Sequence, residues 1–364
     1  MGRLSTFGQH LYTGRVSFDF VGRRMVWYLV SAVLVLGSAA GLGVHGLERG
    51  IDFKGGVEFT AQVATADSSS VDDLREAAVD TGLDAASAPV VNTSGDSTIR
   101  LQTGALSQDE TAQVVEALQS AGASEVSQNL VGPSWGAEVA KKAATGLIVF
   151  LVIVVLFIWA YFREWRMSVA AMVALAHDIV ITVGIYAWSG FEVTPATVTG
   201  FLTILGYSLY DTVVVFDKVR ENTRGILSST TRIYSEQANL AVNQTLVRSI
   251  NTSITALLPV GALLVVGVGV LGSGPLKDLA LALFVGMAVG TYSSIFIATP
   301  IAAQLKERDP AVRAHTQKVL ERRAKGLATA GAAASTTPAR PVTSSGAAGR
   351  RQPQRSSRQQ RRGR

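Results

Sequence analysis

Asp211 and Arg248 are the two residues whose types and placement most clearly point to chemistry. Asp211 follows the apolar run Val193–Tyr210, and Arg248 opens the next long apolar run. A carboxylate in the middle of a bilayer costs roughly 2.5–3.5 kcal/mol, so it needs a partner or a function. If consecutive spans are antiparallel, both charges reach the same depth from the same side. Burial favours the neutral acid and a neighbouring cation favours the anion, so the pair predicts ion or proton movement. A permanent structural salt bridge needs the same two residues.

His177 and Asp178 form a second polar pair inside an apolar run. Counted from Met167, Asp178 lies about 17 Å into a helix at 1.5 Å per residue, which is mid-membrane. Buried His and Asp side chains are natural relay groups for protons, but they also fix helix packing by hydrogen bonds. Asp217 lies six residues beyond Asp211, in a charged cluster. It could belong to the relay or only to a solvated helix end.

Six apolar stretches are long enough to position these residues inside a membrane. The chain is 48% hydrophobic and only 16% charged, against about 25% charged residues in soluble domains. A helix needs about 20 apolar residues to cross the hydrocarbon core. The predicted spans are 25–45, 143–162, 167–188, 193–216, 249–272 and 278–304. The fold class is therefore an α-helical membrane protein with six spans, in which Gly286 and Gly290 form a GxxxG packing motif.

The distribution of basic residues predicts the orientation. With both termini on one side, that side carries 26 of the 33 Lys and Arg residues, and such an excess marks the cytoplasm. Residues 1–24 then form a cytoplasmic N-terminal segment. The first apolar run is longer than the 7–15-residue core typical of a signal peptide, so we expect it to remain as a span.

One segment outside the membrane, residues 46–140, is long enough to fold alone. Its alternating apolar runs and its two capping-box patterns, Ser70–Asp73 and Ser107–Glu110, predict the order βαββαβ. That order is typical of the ferredoxin-like split-βαβ arrangement. No nucleophile, base and orienting group cluster in it, so we interpret it as an extracytoplasmic binding or docking domain without catalytic function.

Two further segments are expected on the cytoplasmic side. Residues 217–248 carry an apolar helical face and are predicted to form an amphipathic loop along the membrane surface. Residues 306–364 are basic and, towards the end, rich in Ala, Ser, Pro and Gln, so we expect a disordered tail. Such a tail would be attracted to anionic membrane lipids and could contact ribosomal RNA. The absence of cysteine and the scattered histidines predict no metal site and no cofactor.

Several motifs, in order along the chain, resemble the SecF family. The segment after the first span, Gly50-Ile51-Asp52-Phe53-Lys54-Gly55-Gly56, is similar to the G-[ILV]-D-F-x-G-G entry of SecD and SecF proteins. Ala176–Ile179 resembles the HD stretch of the third SecF span. The stretches 206–222 and 244–252, which contain Asp211 and Arg248, resemble the fourth span with its charged exit and the start of the fifth.

The resemblance implies half of an RND-type transporter in a bacterial plasma membrane. It implies SecD as a partner, association with the SecYEG channel, and use of the proton motive force to promote late translocation of a preprotein in transit. Asp211 and Arg248 match the proton-pathway carboxylate and arginine of that family. The function expected is thus a non-enzymatic export subunit. The alternatives are a stand-alone RND-type exporter of lipids or small molecules, and a static scaffold for the translocon.

Overall fold

The computed structural model describes residues 9–269 and 275–335. In chain order its helices are Arg24–Val44 (α1), Ile51–Lys54 (α2), Ser68–Val79 (α3), Gln108–Ser120 (α4), Pro133–Phe162 (α5), Trp165–Ser189 (α6), Pro195–Asn222 (α7), Tyr234–Gly269 (α8), Pro275–Ser293 (α9), Thr299–Glu307 (α10) and Pro310–Ser335 (α11). Its strands are Gly56–Gln62 (β1), Val90–Thr93 (β2), Thr98–Thr103 (β3) and Glu125–Val131 (β4).

Six helices in the described part of the chain are long and apolar enough to cross a membrane. They are α1, α5, α6, α7, α8 and the combined α9–α10, and they confirm the predicted six-span fold class. α7 packs against α8 and α9, while α1 packs against α6. The third and fourth spans and the sixth are about half buried, whereas the second and fifth are 11% buried. α7, α6 and α9 therefore form the interior of the bundle.

Two of the spans extend far beyond the runs that predict them. α7 continues to Asn222 and α8 starts at Tyr234, so the two helices take up most of the amphipathic loop predicted across 217–248, and only 223–233 lie between them. The apolar face of that segment is real, but it packs into the bundle core through Tyr234, Ala238 and Ala241. The interior of the bundle thus continues past the apolar runs.

The sixth span changes its helical winding near the end predicted to be cytoplasmic. A π-helical turn, Ser294–Ala298, joins α9 to α10. Thr299 Oγ1 donates to the carbonyl oxygen of Ser294 at 3.2 Å. Pro300 follows directly and has no backbone N–H to continue an α-helical ladder. Such turns often occur at functional sites, and here the turn presents Ser294 to the neighbouring helices.

The extramembrane segment forms a four-stranded sheet in the order β2-β3-β1-β4, with every neighbouring pair antiparallel. This order and the two helices between strands fit the predicted ferredoxin-like arrangement. Val57, Phe59 and Ala61 alternate along β1 and are fully buried. They share one apolar core with Leu74 of α3 and Leu118 of α4, so both helices cover the same face of the sheet.

The two capping boxes have different outcomes. Ser107 and Glu110 form the predicted box at the start of α4, with reciprocal side-chain to backbone hydrogen bonds. The box predicted at Ser70–Asp73 is wrong, because α3 begins earlier, at Ser68. Its cap is Asp67, whose carboxylate accepts the backbone N–H of Ser70 at 2.9 Å.

The first part of the predicted disordered tail is helical. The chain divides into a unit Met1–Val319 and a unit Leu320–Arg364. The helix α11 covers Pro310–Ser335, where disorder was predicted from residue 306. Asp309 caps this helix by accepting the backbone N–H of Ala311, and its sequence is rich in Ala, Arg and Lys, which are strong helix formers. The rest of the predicted tail, residues 336–364, lies outside the described residues.

Close helix approach depends on small residues in the sixth span. A Cβ at Gly286 would lie 2.0 Å from Cδ1 of Ile204, and one at Gly290 would lie 2.8 Å from Cβ of Ser208. The GxxxG motif therefore lies against α7, where neither glycine leaves room for a side chain.

Substituting Gly286→Ala should lower the free energy of unfolding by about 1–3 kcal/mol, because the buried Ile204 must leave its rotamer. The measurement is the unfolding midpoint of the purified chain in detergent. Gly206→Ala is the matched control on α7, since its added Cβ meets no described atom within 4 Å. Equal midpoints for the two variants would contradict the packing argument.

Asp67→Ala should speed amide hydrogen exchange in the first turn of α3, while Asp73→Ala on the same helix should not. The hydrogen bond from the Ser70 backbone N–H holds the pKa of Asp67 below its usual value. Because the pKa is lower in the folded state, the cap stabilises at neutral pH. The effect of Asp67→Ala should therefore disappear as the pH falls through the folded-state pKa.

Candidate functional site

Asp211 is buried inside the bundle, with 7% of its surface exposed. Its Oδ1 accepts a hydrogen bond from the Ser249 hydroxyl of α8 at 2.6 Å. Its Oδ2 accepts one from the Ser294 hydroxyl of the π-helical turn at 2.5 Å. Three spans thus meet at one carboxylate. Both oxygens of this buried carboxyl group therefore have hydroxyl donors, which offset part of its desolvation.

Arg248 does not pair with Asp211 in this structure. It is exposed, and its Nη2 donates to the Tyr210 hydroxyl at 3.0 Å. Successive residues of an α-helix point about 100° apart at 3.6 residues per turn. Ser249 therefore faces inward to Asp211 while Arg248 faces outward. The described residues contain no ion pair between Asp211 and Arg248.

The sequence interpretation missed Ser249 and Ser294. Both are hydroxyl residues within apolar runs, where an unpartnered O–H is unfavourable. That signal is weak, because Ser and Thr hydroxyls in a span can also bond their own helix. Ser253 does so, donating to the carbonyl oxygen of Ser249 at 2.8 Å.

The second polar pair, His177 and Asp178, lies on α6 and contacts α7. Asp178 is 1% exposed and its Oδ2 accepts the Ser208 hydroxyl at 2.6 Å. His177 Nδ1 lies 3.2 Å from Asp178 Oδ1, and its Nε2 lies 3.1 Å from the Ser31 hydroxyl of α1. Ser208 precedes Asp211 by three residues, so α7 contacts both carboxylate centres within one helical turn.

Asp217 is not brought to either centre. It is exposed near the end of α7, about 9 Å along the helix from Asp211 at 1.5 Å per residue. The neighbouring Lys218 pairs with Glu221 at 2.8 Å. These positions agree with a solvated helix end.

The Gly-rich segment lies where the first span meets the small domain. Gly55 and Gly56 have φ of 77° and 151°. A Cβ on Gly55 would lie 2.6 Å from the backbone of Pro133, and one on Gly56 would lie 2.3 Å from the carbonyl oxygen of Thr103. The two glycines are therefore needed for β1 to start directly against both α5 and β3.

The other motif residues of this segment hold the same junction. The backbone N–H of Gly50 donates to the carbonyl oxygen of Val193 at 3.0 Å. Gly136 of α5 packs on the backbone of Asp52 and Phe53. Burial raises the pKa of the Asp52 carboxyl, Glu58 raises it further, and Arg100 opposes both.

The fold and these buried polar centres define a class: a multi-pass membrane protein with a split-βαβ domain and carboxylates inside its bundle. Residues 111–308 match the family model described as protein export membrane protein SecD/SecF, C-terminal. Residues 40–67 match the SecD/SecF GG motif. The chain belongs to the SecD/SecF family.

Its relatives are named for the SecF branch. The chain is 49% identical to a protein translocase subunit SecF of Streptomyces coelicolor, over 90% of this chain and 87% of that protein. It is 44% identical to one of Mycobacterium tuberculosis, over 88% of this chain and 74% of that protein. These matches confirm the resemblance drawn from the sequence motifs.

A solved structure has the same fold over most of the chain. The crystal structure of SecDF, a translocon-associated membrane protein from Thermus thermophilus, superposes with a TM-score of 0.70 at 32% identity, covering 80% of this chain and 39% of that one. SecDF in a super-membrane-facing form gives 0.57 at 29% identity, covering 83% and 40%. This chain therefore spans about two fifths of the length of those SecDF chains.

Ser294→Ala should destabilise the protein by about 1.5–3 kcal/mol at a pH where Asp211 is ionised, because a charge-assisted hydrogen bond is lost. The loss should shrink in an Asp211→Asn background, which a double-mutant cycle of unfolding free energies measures. Ser168→Ala is the control, since the Ser168 hydroxyl is buried without a described hydrogen-bond partner. A loss of the same size in both backgrounds would show that Ser294 acts independently of Asp211.

Proposed function

We propose that this protein is an accessory subunit of the bacterial Sec protein-export machinery, acting with SecD to promote late-stage translocation of preproteins through SecYEG by the proton motive force. The names of its relatives support the export role, and a translocon-associated structural neighbour supports the partnership. They do not favour the alternative of a stand-alone exporter. One observation supports the proton role: Asp211 is buried in the bundle, and its two oxygens accept hydrogen bonds from two serine hydroxyl groups.

The geometry suggests how protonation would move the helices. The ionised carboxylate accepts from Ser249 and Ser294 and so holds α7, α8 and the sixth span together. Once Asp211 takes up a proton, one of its oxygens becomes a donor and at least one serine loses a charged acceptor. Arg248 is one residue from Ser249, or about 100° around α8, so rotating α8 by that angle would replace the serine with the arginine, whose charge would favour release of the proton. One charge crossing 100 mV supplies about 2.3 kcal/mol for such a step.

The exposed polar face around Arg248 is where we place SecD. Tyr210 is 53% exposed beside it, and Asn251 and Thr255 follow on the same exposed side of α8. A charged side chain facing lipid at this depth is costly, so a second bundle should cover it. The SecDF chains, of which this chain covers about two fifths, are long enough to contain such a second bundle.

The orientation is also part of the proposal. The excess of basic residues on the side of the termini supports an orientation with both ends in the cytoplasm and the small domain outside. There the domain could contact a preprotein in transit or another subunit, while its docking to the bundle transmits helix movement. The basic residues after Lys306 would contact anionic membrane lipid or the ribosome from the cytoplasmic side.

Asp211→Asn should abolish the gradient-dependent part of late-stage preprotein translocation, because the amide keeps the shape of the side chain and cannot exchange a proton. The assay uses inverted membrane vesicles carrying the chain with SecD and SecYEG, with and without a protonophore. Asp217→Asn, on the same helix but exposed, should retain the protonophore-sensitive component. Persistence of that component in the Asp211→Asn vesicles would refute the proton role and leave a static scaffold.

A further inference from the structure

Asp278 is a buried carboxyl that neither the sequence motifs nor the proposed mechanism uses. It lies in the first turn of α9, at the end of the bundle next to the small domain, and is 8% exposed. We propose that Asp278 is a second proton-binding site, which couples proton uptake at this end of the bundle to the contact between bundle and small domain. This inference rests on the proposed function, because it assumes that the protein responds to protons.

The surroundings of Asp278 satisfy its charge poorly. Its Oδ2 accepts a long hydrogen bond from the Thr194 hydroxyl, at 3.4 Å. The Tyr186 hydroxyl donates at 2.6 Å, but to the backbone oxygen of Asp278 rather than to the carboxylate. A buried carboxylate with few donors is easily neutralised by a proton.

Three charged groups face Asp278, and none forms an ion pair with it among the described residues. They are Lys277 from its own helix, Glu192 from the connector between α6 and α7, and Arg100 from β3 of the small domain. The Lys277 ammonium lies 4.5 Å from the ring centroid of Phe191. Arg100 is engaged by Glu58. Lys277 and Arg100 therefore interact with other groups, while Glu192 repels the ionised carboxylate of Asp278.

Thr194 joins Asp278 to the connector 190–194. It is the N-cap of α7, and its hydroxyl also accepts the backbone N–H of Thr197. The Thr197 hydroxyl donates to the carbonyl oxygen of Glu192. A change at the Asp278 carboxyl therefore reaches the connector directly at Thr194, and reaches Glu192 through the hydrogen bonds of Thr197.

The connector is in turn fastened to the small domain and to the end of the first span. The Gln102 side-chain amide of β3 donates to Glu192 at 3.1 Å and to Glu58 at 3.0 Å. The backbone N–H of Val193 donates to the carbonyl oxygen of Glu48 at 2.7 Å, and the carbonyl oxygen of Val193 accepts the N–H of Gly50 at 3.0 Å. Proton binding at Asp278 would weaken the bond from Thr194 and loosen this connector.

Asp278 is separate from the Asp211 centre. Thr194 and Asp211 lie 17 residues apart on α7, or about 25 Å at 1.5 Å per residue. Between them, buried Ile204 lies against Gly286 and Gly200 lies against Ala282. This apolar layer separates the two carboxyls, so Asp278 is a site distinct from the Asp211 centre.

The test is hydrogen exchange of the full-length chain in lipid nanodiscs, comparing wild type, Asp278→Asn and Asp211→Asn at matched pD. At high pD, amides in 48–50 and 190–194 should exchange about fivefold faster in Asp278→Asn than in wild type, as expected for one lost hydrogen bond. At low pD the difference should vanish, because wild-type Asp278 is then neutral. Asp211→Asn should retain the wild-type pD dependence in these two segments, because Asp278 is intact in that variant.

Two results would overturn the inference: no difference at any pD, or a difference of the same size at every pD, which a purely structural role gives. If Asp278→Asn does not fold, Asp278→Glu serves instead, because it retains a carboxyl and should retain the pD dependence of exchange. Exchange that is independent of pD in a folded Asp278→Glu would also overturn the inference. Infrared titration supplies a second readout, since the protonated-acid band lost in Asp278→Asn should remain in Asp211→Asn. A failure here leaves the translocation result for Asp211→Asn unaffected.

Discussion

A carboxylate that lies inside a lipid-spanning bundle must find its hydrogen-bond donors within the protein. Asp211 finds two, on the fifth and sixth spans, and much of the bundle geometry follows from this requirement. The π-helical turn presents Ser294, and the glycines of α9 let the sixth span approach α7 closely enough for the bond to form. Packing and polar satisfaction therefore depend on the same small residues.

The same constraint explains why the interior of the bundle is both polar and tightly packed. Within one turn of α7, Ser208 donates to Asp178 of α6, and Asp211 accepts from Ser249 of α8. Hydroxyl groups satisfy a charge and also tolerate its loss, because they can donate or accept. A bundle held by serines can therefore change protonation state without leaving a buried ion unpaired, which a direct arginine pair could not do.

The sequence predicts the spans, the βαββαβ order and the burial of Asp211 inside the bundle, because hydropathy and periodicity are local signals. It does not predict which neighbour contacts Asp211. Arg248 and Ser249 are adjacent in sequence, and only the rotational phase of α8 decides which of them faces inward. The length of α8 was missed for a similar reason, since tertiary packing of Tyr234 and Ala238 extends the helix past its apolar run.

α7 makes polar contacts with other helices both at its start and near Asp211. Thr194 at its start bonds Asp278 and borders the connector to the small domain, whereas Asp211 lies towards its other end. A helix packed on three neighbours along its length moves as a rigid rod rather than by bending. A shift at the Asp211 end would therefore be felt at Thr194, and through Glu192 and Gln102 at the sheet. The Gly55–Gly56 junction, which has no room for side chains, leaves the small domain little freedom to absorb that shift.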